Sequence, residues 1–225
     1  MSIDYQNIRK RSETHEIVSS MPSVGLYRLV FKRAFDICIV LLALPIIAPL
    51  IAVLAILVAR DGSPGFYSQK RVGRYGAIYT IWKLRTMVAG AEQLLDVYLS
   101  ESPDAAVEWQ STQKLKQDPR VTPIGHVLRK CSLDELPQLW NVLLGEMSLV
   151  GPRPMLPEQQ EMYPGHSYYS VRPGITGSWQ VSERNESTFA DRARYDTDYI
   201  ADISFMNDLK LLKATVGVVL DGTGH

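Results

Sequence analysis

The chain has 225 residues, 24 Lys plus Arg against 24 Asp plus Glu, and 46% apolar residues. That length suits one domain with an appendage and can bury a sizeable core, while a formal charge of zero argues against a general nucleic-acid binder. The cysteines, Cys38 and Cys131, and the histidines, His15, His126, His166 and His225, show no metal-ligand spacing, which argues against a disulfide scaffold and a histidine-ligated metal centre.

Residues 1–26 are polar, carry scattered charges and have no apolar period, so a tail with little structure is expected to about residue 30. The layout is not that of a cleavable signal peptide. From Ile37 to Val58 no charge occurs. A run of roughly 20 apolar residues has the length of a membrane segment. Pro45 and Pro49 interrupt its middle and free the carbonyls of Leu41 and Pro45, which is costly at bilayer depth. Both flanks are basic, with Arg28, Lys32 and Arg33 before the run and Arg60, Lys70, Arg71 and Arg74 after it. The positive-inside rule therefore assigns neither flank to the outside. A helix that enters, breaks at the prolines and returns satisfies both facts. Each leg would hold about 11 residues, or about 16 Å, roughly one leaflet. Asp36 is expected at the interface with a nearby cation such as Arg33.

After a turn cluster at residues 61–65, Phe66–Val72 and Ala77–Leu84 read as a β-hairpin that brings Lys70, Arg71, Lys83 and Arg85 together. Such a cluster is either a solvated basic edge or an anion or membrane-surface site. Residues 88–116 read as one or two amphipathic helices broken around Ser102-Pro103, and Ile124–Lys130 as a short helix whose terminal cations suit its dipole. Then comes LRKCSLDELPQLWNVLLGEMSLVGPRP, residues 128–154, with the acidic pair Asp134-Glu135. Ser132-x-x-Glu135 fits a capping box, and Asp134 as N-cap would instead place Pro137 in the first turn. Either register puts both carboxylates at a helix N-terminus, where the dipole favours their ionised form. A plain helix cap explains such a pair as well as chemistry does.

Met155–Tyr163 can be helical, and Arg172-Pro173-Gly174 through Thr176-Gly177 is turn-rich, serving either as a structural turn or as backbone that approaches a phosphate. A charged helix follows from Thr188 to Asp202, and Ser204 caps a last amphipathic helix to about Leu220. That helix and the membrane segment both offer packing faces for a homo-oligomer.

Taken in order, KRAFD (32–36), the proline-broken apolar run, WKLRTM (82–87), residues 118–154 from DPR to GPRP, RPGITGSWQV (172–181) and DLKLLKA (208–214) resemble the bacterial sugar transferases. These are the monotopic phosphoglycosyl transferases, here most like the small exopolysaccharide-initiating branch. The resemblance covers about residues 30–217. It implies an α+β, mostly helical fold: a re-entrant membrane helix-break-helix hairpin over residues 31–60, and a cytoplasmic catalytic domain over 61–225 with a short β-hairpin and interfacial helices. It implies an enzyme of the bacterial inner membrane that moves hexose-1-phosphate from a UDP-hexose, with galactose or glucose favoured, to undecaprenyl phosphate, releasing UMP. By that resemblance Asp134 is the nucleophile, with Glu135 assisting. Magnesium is held near Asp134 and Glu135, and Arg129, Arg153, Arg172, Lys83 and Arg85 are candidates for binding the donor phosphates. Two positions depart from the family pattern: Ala48 stands where many relatives have Ser before the helix-breaking proline, and Glu183 stands where a glycine is usual. A membrane-anchored scaffold that keeps the fold, and a UDP-sugar phosphohydrolase, are the competing readings.

Overall fold

A long apolar run needs polar groups at its ends to set its position, and this chain supplies them. The computed structural model describes residues 25–112, 115, 117–182 and 189–220. Residues 1–24 of the expected tail, and Glu183, lie outside the described residues. The end of that tail is helical: a π-helical turn, Tyr27–Phe31, leads into helix α1, Lys32–Val58. At the start of α1, Arg33 donates to the carbonyls of Val142 and Leu143. Asp36 does not pair with Arg33; it accepts from Ser148 Oγ at 2.7 Å and from the Leu149 N–H at 3.2 Å. Lys32 meets the buried Asp208 at 2.6 Å. At the other end the Val58 carbonyl accepts from Arg85 at 3.0 Å.

Between these ends α1 runs through Pro45 and Pro49 as one helix, rather than two legs joined by a break. Val40, Ile51, Leu54, Ala55 and Val58 form a stripe with helical spacing that packs on the rest of the chain. Both prolines lie on the opposite, exposed face, so their missing N–H bonds and ring clashes fall there and spare the packed side. Leu42 and Ile46, 76% and 77% exposed, share that outer face. Tyr27–Asp61 is the one helical stretch among the described residues that is long and apolar enough to cross a membrane.

Strands β1, Phe66–Val72, and β2, Ile78–Leu84, form the expected hairpin. Its register separates the predicted basic cluster. Tyr67 faces Lys83 and Arg71 faces Tyr79, while Lys70 faces Thr80 on the other side of the sheet. The period of two thus puts Arg71 and Lys83 on one face and Lys70 on the other. Helices α2, Ala91–Glu101, and α3, Pro103–Thr112, break where Ser102-Pro103 predicts. Helix α4, Pro123–Lys130, starts at Thr122, whose Oγ1 accepts the Gly125 N–H at 3.0 Å.

The acidic turn, Leu133–Gln138, leads into α5, Leu139–Leu144, and then β3, Ser148–Val150. Strand β3 pairs in parallel with β4, Gly174–Thr176. This pairing has no counterpart in the sequence reading, which treats 171–181 as turns. The last helices are α6, Ser178–Val181, α7, Arg192–Ala201, and α8, Phe205–Leu220, with Ser204 Oγ accepting the Asn207 N–H as expected of a cap. The fold is mostly helical with two small two-stranded sheets. One core cluster joins Val40 of α1 to Tyr79, Ile81, Val142, Leu149 and Tyr199; another joins Val58 to Leu84 and Leu128.

The glycines of the 174–177 segment serve close packing. A Cβ on Gly174 would lie 2.1 Å from the Gly151 nitrogen, and one on Gly177 2.1 Å from the Gly151 oxygen. Gly174→Ala must push the two backbones apart. That breaks the bonds from Gly174 N–H to Pro152 O and from Gly151 N–H to Thr176 O, both 2.8 Å. The expected loss is roughly 2–4 kcal/mol, seen as a lower thermal midpoint in detergent by circular dichroism. An unaltered midpoint would show that the two loops do not need this contact.

Candidate active site

Helix α4 ends at Lys130 and the chain reverses through Ser132, which takes a left-handed conformation with φ +54°. The Ser132 side chain makes no cap. Neither expected capping register forms: Ser132 is left-handed and caps nothing, and Pro137 has no N–H to close the α-helical turn that the Ser132 register would need. The segment winds instead as a 3-10 helix, Leu133–Gln138. Asp134 and Glu135 still sit in its first turn, as both registers require. Hairpin strand β2 packs alongside and brings up Lys83.

The Lys83 Nζ lies 2.6 Å from Glu135 Oε1 and 3.6 Å from Asp134 Oδ2. The Arg153 Nη2 lies 3.8 Å from Glu135 Oε1. Asp134 is buried, and burial raises its carboxyl above the ordinary range; Lys83, Arg129 and Arg153 pull it back only in part, and Glu135 adds to the rise. A first-turn position was expected to keep Asp134 ionised. Loss of water outweighs that tendency, because a single short turn has little dipole to offer. Arg129 is held by Thr86, whose Oγ1 accepts its Nε–H at 2.9 Å, and burial lowers the affinity of its guanidinium for the proton.

Arg153 is braced by two further arginines, only one of which, Arg71, belongs to the basic cluster read from the sequence. Arg192 donates to the Arg153 carbonyl at 2.7 Å, and Arg71 donates to the Pro154 carbonyl at 3.0 Å. Both the Arg153 and the Arg192 guanidiniums lie over the Trp179 ring, at 5.9 and 5.1 Å from its centroid. Burial and the nearby Arg153 lower Arg192 to about 10, and burial raises its neighbour Asp196 to about 6. The hairpin reading sets Arg71 with Lys83, and the register keeps them on one face. Arg192 gives no such signal, since it reads as one charge among several on a polar helix.

Of the sequence candidates, the fold brings together Asp134, Glu135, Lys83, Arg129 and Arg153. It places Arg85 and Arg172 elsewhere. Arg85 is occupied by Asp61 at 2.6 Å and by the carbonyls of Val58, Pro64 and Met87. Arg172 donates to the Gly145 carbonyl at 2.7 Å, near the start of α1. Beside the pair opens a cleft of about 160 Å³ lined by Ser132, Glu135, Arg153, Thr176, Gln180 and Thr215 together with aliphatic side chains.

No group of three or more His, Cys, Asp or Glu side chains occurs among the described residues. Two adjacent carboxylates nevertheless match magnesium, which commonly takes one or two protein carboxylates and completes its shell with substrate phosphates and water. The arrangement offers two carboxylates and three cations beside a cleft that Glu135 and Arg153 line, suited to attack on, or charge neutralisation of, a phosphorylated ligand.

A carboxyl raised by burial stays protonated through the ordinary carboxylate range and ionises above it. Lys83→Met removes its nearest cation and moves that ionisation to higher pH. Carbodiimide labelling of Asp134 against pH, mapped by mass spectrometry, reports the protonated fraction. A midpoint that stays put or falls in the variant would mean that Lys83 does not govern Asp134.

The family model for bacterial sugar transferase matches residues 27–222. The chain is 45% identical over 195 residues to a UDP-galactose-lipid carrier transferase of Erwinia amylovora, and 44% identical over 195 residues to an undecaprenyl-phosphate galactose phosphotransferase of Salmonella typhimurium. Each match takes in 86% of this chain and 41% of the relative, so the chain spans about two fifths of their length. It is also 42% identical over 191 residues to the exopolysaccharide production protein ExoY of Sinorhizobium fredii, covering 84% of each. The acidic pair, the arginine after Pro152 and the apolar helix all lie within the matched span, and the chain belongs to the bacterial sugar transferase family.

Proposed function

We propose that this chain transfers hexose-1-phosphate from a UDP-sugar to undecaprenyl phosphate, as the first step of exopolysaccharide or glycoconjugate assembly. The observation that carries the reading is the buried Asp134 carboxylate, 3.6 Å from Lys83 and beside Arg129 and Arg153, in a chain of this family with an exposed apolar helix. Galactose or glucose is the favoured sugar; two relatives carry galactose in their names.

Asp134 attacks the phosphorus that bears the sugar. A carboxylate–phosphorus bond forms as the bond to the bridging oxygen breaks, and UMP leaves with that oxygen and its electron pair. A phosphate oxygen of the lipid then attacks the same phosphorus, and the Asp134 carboxylate departs. Two easier displacements replace one difficult encounter between a soluble donor and a membrane lipid. Lys83, Arg129 and Arg153 offset the repulsion between a carboxylate and an anionic diphosphate. Glu135 holds Lys83 at 2.6 Å and so keeps that cation at the cleft. Asp134 and Glu135 would hold magnesium, which would supply further charge screening when bound.

The anchor fits a site at the inner face of the bacterial inner membrane. Both of its ends bond to the same domain, through Asp36 and Arg33 at one end and the Val58 carbonyl at the other. That supports a helix which stays continuous but bends at Pro45 and Pro49, so that it dips into one leaflet and returns, with the catalytic residues on the cytoplasmic side where a nucleotide sugar is available.

Purified protein incubated with several UDP-hexoses, magnesium and undecaprenyl phosphate should release UMP in a lipid-dependent manner. Donor alone should leave a phosphosugar adduct on the protein, visible by mass spectrometry. Asp134→Asn should abolish the adduct and lower turnover by about a thousandfold or more. An adduct that persists in this variant would falsify the nucleophile assignment. Steady lipid-independent UMP release would indicate a hydrolase, and no release at all a scaffold.

A further inference from the structure

A second cavity, of about 380 Å³, lies between the apolar helix and the rest of the chain, and every side chain lining it is apolar or aromatic. Leu44 and Ile51 of α1 form one wall; Trp82 of the hairpin and Trp140 of α5 stand across from them. Its lining includes Leu136-Pro137, the residues that directly follow the acidic pair. Leu136 and Leu139 line both this groove and the cleft that holds Glu135 and Arg153.

We propose that this groove seats the isoprenoid segment nearest the phosphate of the lipid acceptor, and that Trp140 is its principal contact; the inference rests on the transfer reaction above. Three observations select that occupant. One wall is the apolar helix, and Phe66, Trp82 and Trp140 of the lining are exposed, so the groove opens beside the helix, where hydrocarbon would lie. The lining offers no hydrogen-bond donor apart from the indole N–H groups, which excludes a nucleotide or sugar as occupant. Leu136 and Leu139, shared with the cleft, put the head of a seated chain next to Glu135 and to Arg153, a cation that a phosphate requires and a plain hydrocarbon does not. The volume takes only the first few isoprenes, leaving the rest of the tail in the bilayer. Trp140 and Trp82, 57% and 42% exposed, are large flat surfaces standing in the open, and a branched unsaturated chain can cover them.

Two measurements separate this from the reading it rests on. The UMP burst with donor alone reports the Asp134 half-reaction. The KM for the acceptor reports the groove. Trp140→Ala is expected to raise the KM for undecaprenyl phosphate roughly tenfold, a loss of about 1.4 kcal/mol, while the burst keeps its amplitude. Trp140→Phe should recover most of the loss. Geranyl phosphate, too short to fill the groove, should show a smaller change. An unaltered KM, or an equal change for both acceptors, overturns the groove assignment and leaves the transferase reading standing. No burst in the unaltered protein overturns the transferase reading, and the groove's role with it. In the unaltered protein, a polyprenyl phosphate with a diazirine near its head should label the peptide containing residues 136–143. Label elsewhere, equal labelling by a diazirine phospholipid, or a cross-linked dimer through this peptide would assign the groove to another occupant and overturn the proposal.

Discussion

The placement of Lys83 between two carboxylates is the interaction on which the site depends. At 3.6 Å and an effective dielectric near 20, one cation favours the Asp134 carboxylate by about 4 kcal/mol. Removing a carboxylate from water costs several kcal/mol and opposes that attraction, and the balance leaves Asp134 raised. Glu135 takes the short contact to Lys83, and Asp134 is left beyond hydrogen-bond distance of it. The pair therefore divides the work: one carboxylate holds the cation in place, while the other stays free of that bond. A carboxylate so balanced is tipped to its charged form by any further cation that arrives with a diphosphate.

The same strand that carries Lys83 also ties the site to the apolar helix. Leu84 packs on Val58, and Arg85 grips the Val58 carbonyl and Asp61. Arg85 is thus better explained as the clamp on the end of the helix than as a phosphate ligand. At the other end, Asp36 bonds Ser148 and Leu149 on strand β3, which leads within a few residues to Arg153. The two ends of the helix are fastened to the two strands that bring up the catalytic cations. Where the helix settles in a bilayer, the cleft is carried with it.

Much of this was legible in the sequence because it rests on local rules. The hairpin, the helix break at Ser102-Pro103, the cap at Ser204 and the first-turn position of the acidic pair follow from periodicity and turn chemistry. What was not legible depends on pairing across long separations. The parallel match of Ser148–Val150 with Gly174–Thr176 joins segments too short to show a strand pattern. Counting cations along the chain also misled for Lys70, because adjacent strand positions face opposite ways. Arg172 carried a motif but bonds the Gly145 carbonyl at the end of α5, whereas Arg192, with no motif, reaches the backbone of Arg153. The direction of a long side chain is decided by packing that a motif does not record.

The arginines around the cleft are held close together against their mutual repulsion. Arg153 lowers the proton affinity of both Arg71 and Arg192, after the larger effect of their burial. Their carbonyl bonds to Pro154 and Arg153, and the stacking on Trp179, keep the guanidiniums near one another despite that repulsion. The turn they brace is stiff for a separate reason: prolines flank Arg153, and Gly151 is locked against Gly174 and Gly177 with no room for a methyl group. Because the folded chain has already met the cost of bringing the cations together, little reorganisation is left when a phosphate enters. Such preorganisation favours an incoming dianion, and it makes the glycine contacts, remote from any reacting atom, as necessary to the cation cluster as the arginines themselves.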